Sequence, residues 1–231
     1  MSVRFHILQA SGVLAGQMRD DLMSVLEQTS QDCSLKLDLA DIDVVVMNVP
    51  WEVIPRLGIG GLAYSAHQVT VTLDVKHAHL RANFAGAVRA ALAHELHHCA
   101  RAKARGTSHS ETYGGSLVAE GLACCYEEEM GQPTPFYAVE CQGEALQRFA
   151  VKAREHVGAG RWDLPGQPTD WMFGRAGGDA EFPYQCGYST GYALVRHWLT
   201  KRGMTASQAV GVDEAEVLRG WHAGRCDPFA D

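Results

Sequence analysis

Apolar and polar positions alternate in short runs over the first third of the chain, then change to a helical period. Val3 to Leu8 alternates, and Asp43 to Val49 is an apolar run stopped by Pro50; both read as strands. Between them, Val13, Leu14, Met18, Leu22 and Leu26 fall on one face of a helix over 12–29. From His67 to Val75, Val69, Val71, Leu73 and Val75 lie on one side and Thr70 and Thr72 on the other, the pattern of a half-exposed strand. The preceding Gly58-Ile-Gly-Gly-Leu run reads as a loop. Its spacing fits neither the dinucleotide-binding fingerprint nor a P-loop, so it carries no phosphate role.

Beyond residue 80 the period is helical. One helix is expected over 81–104, ended by Gly106. A second starts near Ser108, which has capping-box spacing to Glu111, and runs to about Glu128. A third fills 136–156, and helices return at 188–201 and 205–222. Residues 157–187 are rich in Gly and Pro and carry Trp162, Trp171, Phe173, Phe182 and Tyr184. That is long for an idle connection and points to a functional loop or lid. The order gives an α+β chain: an α/β lobe over 1–107, then a helical lobe over 108–231, the two sharing a cleft.

The chemistry stands out against this pattern. His94-Glu95-Leu96-His97-His98 matches His-Glu-x-x-His. Residues four apart stack on one face of a helix, so two imidazole nitrogens can meet one Zn2+, and the Glu between them lies close enough to act as a base. At ~100° per residue, Phe84, Val88, Ala91, Glu95, His98 and Ala102 form one stripe, with His94 at its margin. Burying a carboxylate and two imidazoles in a core face is costly, and metal coordination removes the cost. His97 falls off the stripe and is expected to face solvent or the second lobe rather than a metal.

The next helix adds an acid. Tyr113, Leu117, Glu120 and Cys124 share a face, so Glu120 interrupts an apolar stripe and is the expected third ligand, leaving a fourth position for water. His109 and Glu111 compete for that role. Gly114 and Gly115 would let this helix approach a neighbour closely. The Glu127–Glu129 run reads as a solvated helix end, and Arg101, Lys103 and Arg105 as compensation of a helix dipole.

Composition excludes several classes. A net charge of -7 and a pI near 5.9 lack the basic field of a nucleic-acid binder. The opening residues lack a signal-peptide pattern, and no stretch approaches the ~20 apolar residues of a membrane span, so a cytoplasmic location is expected. The seven cysteines show no Cys-x-x-Cys spacing, which argues against a cysteine zinc site and for reduced core thiols.

His94 to His98, taken with Val118-Ala-Glu-Gly-Leu-Ala123, resembles the zincin metallopeptidases of the gluzincin type. More narrowly, the chain is similar to a bacterial family of zinc-dependent proteases inferred from sequence. Gly60-Gly-Leu-Ala-Tyr64, Trp171-Met-Phe-Gly174 and Gly187-Tyr-Ser-Thr-Gly-Tyr192 carry that likeness, which extends from about residue 40 onward. The resemblance implies one Zn2+ on His94, His98 and Glu120, with Glu95 as general base. It implies an edge strand, here Val69 to Leu73, that pairs with an extended peptide substrate. It also implies a late oxyanion stabiliser: Tyr188, with Tyr192 and His197 as alternatives. The Gly-x-x-His extension of metzincins is missing, since Arg101 and Ala104 occupy those places.

Three rival readings remain. Gly187-Tyr-Ser189-Thr-Gly191 matches a serine-hydrolase elbow, with Asp213 and His222 following in order, but no buried strand precedes it. Glu95 and His98 form one Glu-x-x-His, whereas a di-iron bundle needs two. A non-catalytic peptide-binding or chaperone-like module holding zinc for structure is the alternative from another class.

Overall fold

The computed structural model describes residues 3–106, 110–175, 177, 179–222 and 228–229. Among them are four strands and nine helices in a mixed α+β arrangement. The chain divides into two units: Met1–Ser108 with Met130–Gln132, and His109–Glu129 with Pro133–Asp231. No helix among the described residues is long and apolar enough to cross a membrane.

In the first unit, the alternating runs become β1 (Val3–Ile7), β2 (Ile42–Asn48) and β4 (Gln68–Leu73). β3 (Ile59–Ser65) completes a sheet of order β1-β2-β4-β3. β1 and β2 are parallel across the intervening α1 (Gln17–Ser34), β2 and β4 are parallel, and β3 pairs antiparallel to β4. Val44, Val46, Val69, Val71 and Leu73 are fully buried, so the period of two does set the core face. α1 starts later than its apolar pattern suggests, because Gly16 (φ 60°) turns the chain first, leaving Val13 40% exposed while Leu14 is buried.

Two expectations are corrected here. The run after Gly58 is a strand, not a loop: its glycines hide the alternation, but antiparallel pairing from Ile59↔Leu73 to Ser65↔Gln68 satisfies its backbone. In consequence β4 lies between β2 and β3 and has no free edge. The strand Val69 to Leu73 therefore cannot receive a peptide; the edge beside it belongs to β3.

The expected 81–104 helix is two: α2 (Ala78–Ala82) and α3 (Phe84–Arg105), broken at Asn83 and ended at Gly106 in the left-handed region (φ 78°). α3 packs on α1, β3 and β4. From Leu92 to Ala102 every residue is buried. His97 is fully buried and does not face solvent, because this stretch is enclosed on all sides rather than amphipathic. Arg101, too, is buried, while Lys103 pairs with Asp38 at 2.8 Å.

The second unit is helical: α4 (Tyr113–Glu129), α5 (Phe136–Val139), α6 (Gly143–Arg154), α7 (Pro168–Phe173), α8 (Cys186–Arg202) and α9 (Glu214–His222). Ser108, of the expected capping box, lies outside the described residues. α4 and α8 form the main contact of this unit. Their backbones meet at glycines: a Cβ on Gly191 would run into the Leu117 carbonyl, and one on Gly121 into the Gly191 carbonyl. Gly114 also permits close approach, to Val157 and Leu218. The Gly- and Pro-rich stretch is no loose lid. Trp171 and Phe182 are buried against Tyr113 and Phe149, while Trp162 (80%) and Phe173 (48%) are exposed.

Candidate metal centre

The fourth and fifth turns of α3 bring three polar side chains into a buried setting. His94, Glu95 and His98 are each only 7% exposed. The i, i+4 spacing stacks the two imidazoles, ring centroids 4.8 Å apart and planes at 70°. Their Nε2 atoms converge to 3.1 Å. Two nitrogens on a tetrahedral Zn2+ at ~2.05 Å would lie ~3.3 Å apart. The donor chemistry and the spacing of this pair therefore fit a zinc ion.

Glu95 lies against the edge strand. Its side chain fills the space that a Cβ on Gly61 would take: Cγ, Oε1 and Cδ lie 2.6, 2.7 and 2.9 Å from that position. One turn on, burial pushes the Cys99 thiol up to about 12, with the Glu95 charge adding to it. Its Sγ–H points at the Ser65 carbonyl at 3.2 Å.

Glu120 sits on α4, where the residues from Tyr113 to Glu127 are buried except Ser116 and Glu120, both partly exposed. His94, His98 and Glu120 are candidate metal-binding residues. On the same helix as Glu120, Cys124 and Glu127 are further candidate ligands. Within α4's own unit, the Glu127 carboxylate accepts a hydrogen bond from Tyr137 Oη at 2.6 Å. Burial, then the charges of Glu127 and Glu120, push the Cys124 thiol well up. Both facts favour Glu120 as the donor from this helix. Of its sequence competitors, Glu111 is exposed and His109 lies outside the described residues.

The Glu127–Glu129 run is not a solvated end. Glu127 is buried on Tyr137; Glu128 accepts from Thr134, Tyr192 (2.9 Å) and Arg196 (2.6 Å); Glu129 accepts from the Ser207 N–H (2.9 Å) and hydroxyl (2.6 Å). Successive residues on a helix point about 100° apart, so three adjacent carboxylates reach three different segments. A charge run viewed in one dimension gives no sign of this.

The candidate oxyanion stabilisers lie along α8. Tyr188 is in its first turn, packed edge-on to Tyr137 (5.2 Å) and near Phe173 (5.6 Å). The Tyr192 hydroxyl donates to Glu128. Burial, and then that hydrogen bond, push its pKa up to about 12. His197 lines a cavity of about 350 Å³ with Trp198, Arg202 and Trp221. Ser189 is 1% exposed in the body of α8, donating to the Tyr137 carbonyl (3.2 Å) and accepting from the Cys141 N–H (3.1 Å). A buried serine inside a helix, tied to two backbone groups, is no nucleophile elbow, so the serine-hydrolase reading falls. The Asp213 carboxylate accepts from the Ala215 N–H at 2.8 Å, and the His222 side chain lies outside the described residues.

Sequence reasoning missed β3 and Gly61. The available signal was Leu62 and Tyr64 alternating with small residues, two residues ahead of a strong strand, which is hairpin spacing.

The fold and site define an α+β protein with candidate metal-binding residues on a buried His-Glu-x-x-His helix. The family described as "Predicted Zn-dependent protease (DUF2268)" matches residues 22–219, and the chain belongs to that family. No curated protein and no solved structure matches it.

Proposed function

We propose that this chain is a zinc-dependent metallopeptidase of the gluzincin type, one Zn2+ per chain, held by His94, His98 and Glu120. The observation that carries the proposal is the buried His94–His98 pair, its Nε2 atoms 3.1 Å apart with Glu95 beside it. The family's description as a zinc-dependent protease supports it. Zinc bound there supplies a Lewis acid that polarises a carbonyl and lowers the pKa of a water to about 7. Glu95 takes the proton of the attacking water and delivers it to the leaving amine. Tyr188 donates to the oxyanion. The extended substrate adds to the outer edge of β3 beyond Ile59, which is itself bridged to Ile54, with Leu62 (42% exposed) and Tyr64 (51%) offering side-chain contacts on the sheet's other face.

The test is zinc content by plasma mass spectrometry, together with hydrolysis of an unstructured peptide library. One equivalent of zinc and peptide cleavage are expected in the wild type, and both should be lost in His98→Ala. Zinc at equal stoichiometry in wild type and variant, or a wild type with no zinc after reconstitution, rejects the ligand assignment. Full zinc without cleavage of any peptide would favour the non-catalytic zinc-containing peptide-binding module.

A further inference from the structure

β3 carries two consecutive glycines, and neither is there for a turn: their backbone lies outside the left-handed region, and both are paired in the ladder to β4. Alanine or valine would serve a strand better on propensity alone. What each glycine lacks is room. A Cβ on Gly60 would meet the Glu52 carbonyl at 2.9 Å and Thr72 Oγ1 at 3.0 Å, so the chain segment before β3 closes over that side. A Cβ on Gly61 would point to the opposite face and meet side-chain atoms first. Its three nearest atoms all belong to Glu95: Cγ, Oε1 and Cδ.

We propose that Gly61 is a positioning residue for Glu95. The bare backbone at 61 lets the Glu95 arm lie along the edge strand, and any side chain there displaces the carboxylate. This rests on the peptidase reading above for its consequence in catalysis, though not for its geometry. Moving from 2.6 Å to an ordinary contact near 3.4 Å requires a shift of about 0.8 Å at the Glu95 side chain. A misplacement of about 1 Å in a reacting group costs on the order of 10²-fold in rate. The displacement acts on the base and leaves His94 and His98, which point elsewhere on the helix, in place. Gly61 is itself solvent-exposed, so a methyl group costs little except through Glu95.

The experiment is a double-mutant cycle with two readouts. Gly61→Ala should lower kcat on the order of 10²-fold, with KM changed little and zinc content unchanged. In a Glu95→Ala background, which keeps no atom beyond Cβ, Gly61→Ala should lower the residual kcat no further. The second readout is melting temperature: Gly61→Ala should lower it in the wild type and leave it unchanged or raised in Glu95→Ala. A kcat within twofold of wild type for Gly61→Ala overturns the proposal. So does a melting penalty that persists in Glu95→Ala, whether or not the wild type turns over peptide. A wild type with neither zinc nor turnover would instead count against the peptidase reading, and the thermal cycle would still decide the role of Gly61.

Discussion

Gly191→Ala tests the packing of the helical unit most sharply, because two effects of known size oppose each other. Removing glycine from a helix interior favours the folded state by ~1 kcal/mol through propensity. Against this, a Cβ at 191 would overlap the Leu117 carbonyl oxygen and lie 3.0 Å from the Leu117 carbonyl carbon and 3.2 Å from its Cα. These are backbone atoms of α4, so no rotamer change relieves them. The helices must part by roughly an ångström, loosening the buried Leu117, Leu122 and Val195 between and beside them. Overpacking of this kind costs about 1–3 kcal/mol, and backbone against backbone belongs at the upper end. The net loss is then about 2 kcal/mol. At ~2–4 °C per kcal/mol for a chain of this size, the melting temperature should fall by about 4–8 °C. Thermal and urea melts on the same sample would check it. Gly121→Ala should act through the same contact, and the double variant should cost less than the sum, since parted helices accept both methyls. A melting temperature equal to or above wild type for Gly191→Ala would mean that propensity wins and that α4 and α8 do not touch at their backbones.

Other outcomes follow from particular groups. Glu95→Gln should abolish peptide hydrolysis while retaining zinc at wild-type stoichiometry; a variant with wild-type turnover would remove Glu95 from the base role. Burial holds the Cys125 and Cys186 thiols up at about 12 in the folded chain against an ordinary 9.0. The folded state thus keeps protons that the unfolded chain releases, so this contribution is intact below pH 9 and is lost as pH rises from 9 toward 12. Melting temperature should fall over that range, and a disulfide exchange reagent at pH 8 should spare both thiols until the chain unfolds. Tyr137→Phe leaves the buried Glu127 short of one donor and should cost about 1–3 kcal/mol in a urea melt; an unchanged midpoint would show that Glu127 is satisfied without it.

How far the sequence reached depended on whether a residue's role is written in periodicity. Val44, Val46, Val69 and Val71 show their burial through alternation, and His94 and His98 show their pairing through a four-residue step. The edge strand was illegible because Gly60 and Gly61 have no side chains with which to alternate, although the structure needs them bare for that reason. The aromatic stretch from 162 to 184 suggested a lid. Its composition says nothing of partners, and Trp171 instead completes a core with Tyr113, Phe149 and Phe182. The solvent option for His97 and the solvated reading of Glu127 failed for one shared reason. A wheel assigns polar residues to the outside, whereas α3 over 92–102 and α4 over 117–127 bury nearly every position, polar groups included.

The three carboxylates closing α4 sit at the wrong pole of that helix, since its terminal carbonyls already bear partial negative charge. What they gain in exchange is reach: from one short stretch of backbone they rivet Tyr137, the Tyr192–Arg196 pair and Ser207, which lie far apart in the chain. Loosening that junction should release all three segments together, so amide exchange at the rim of the helical unit is expected to report one concerted opening rather than independent fraying.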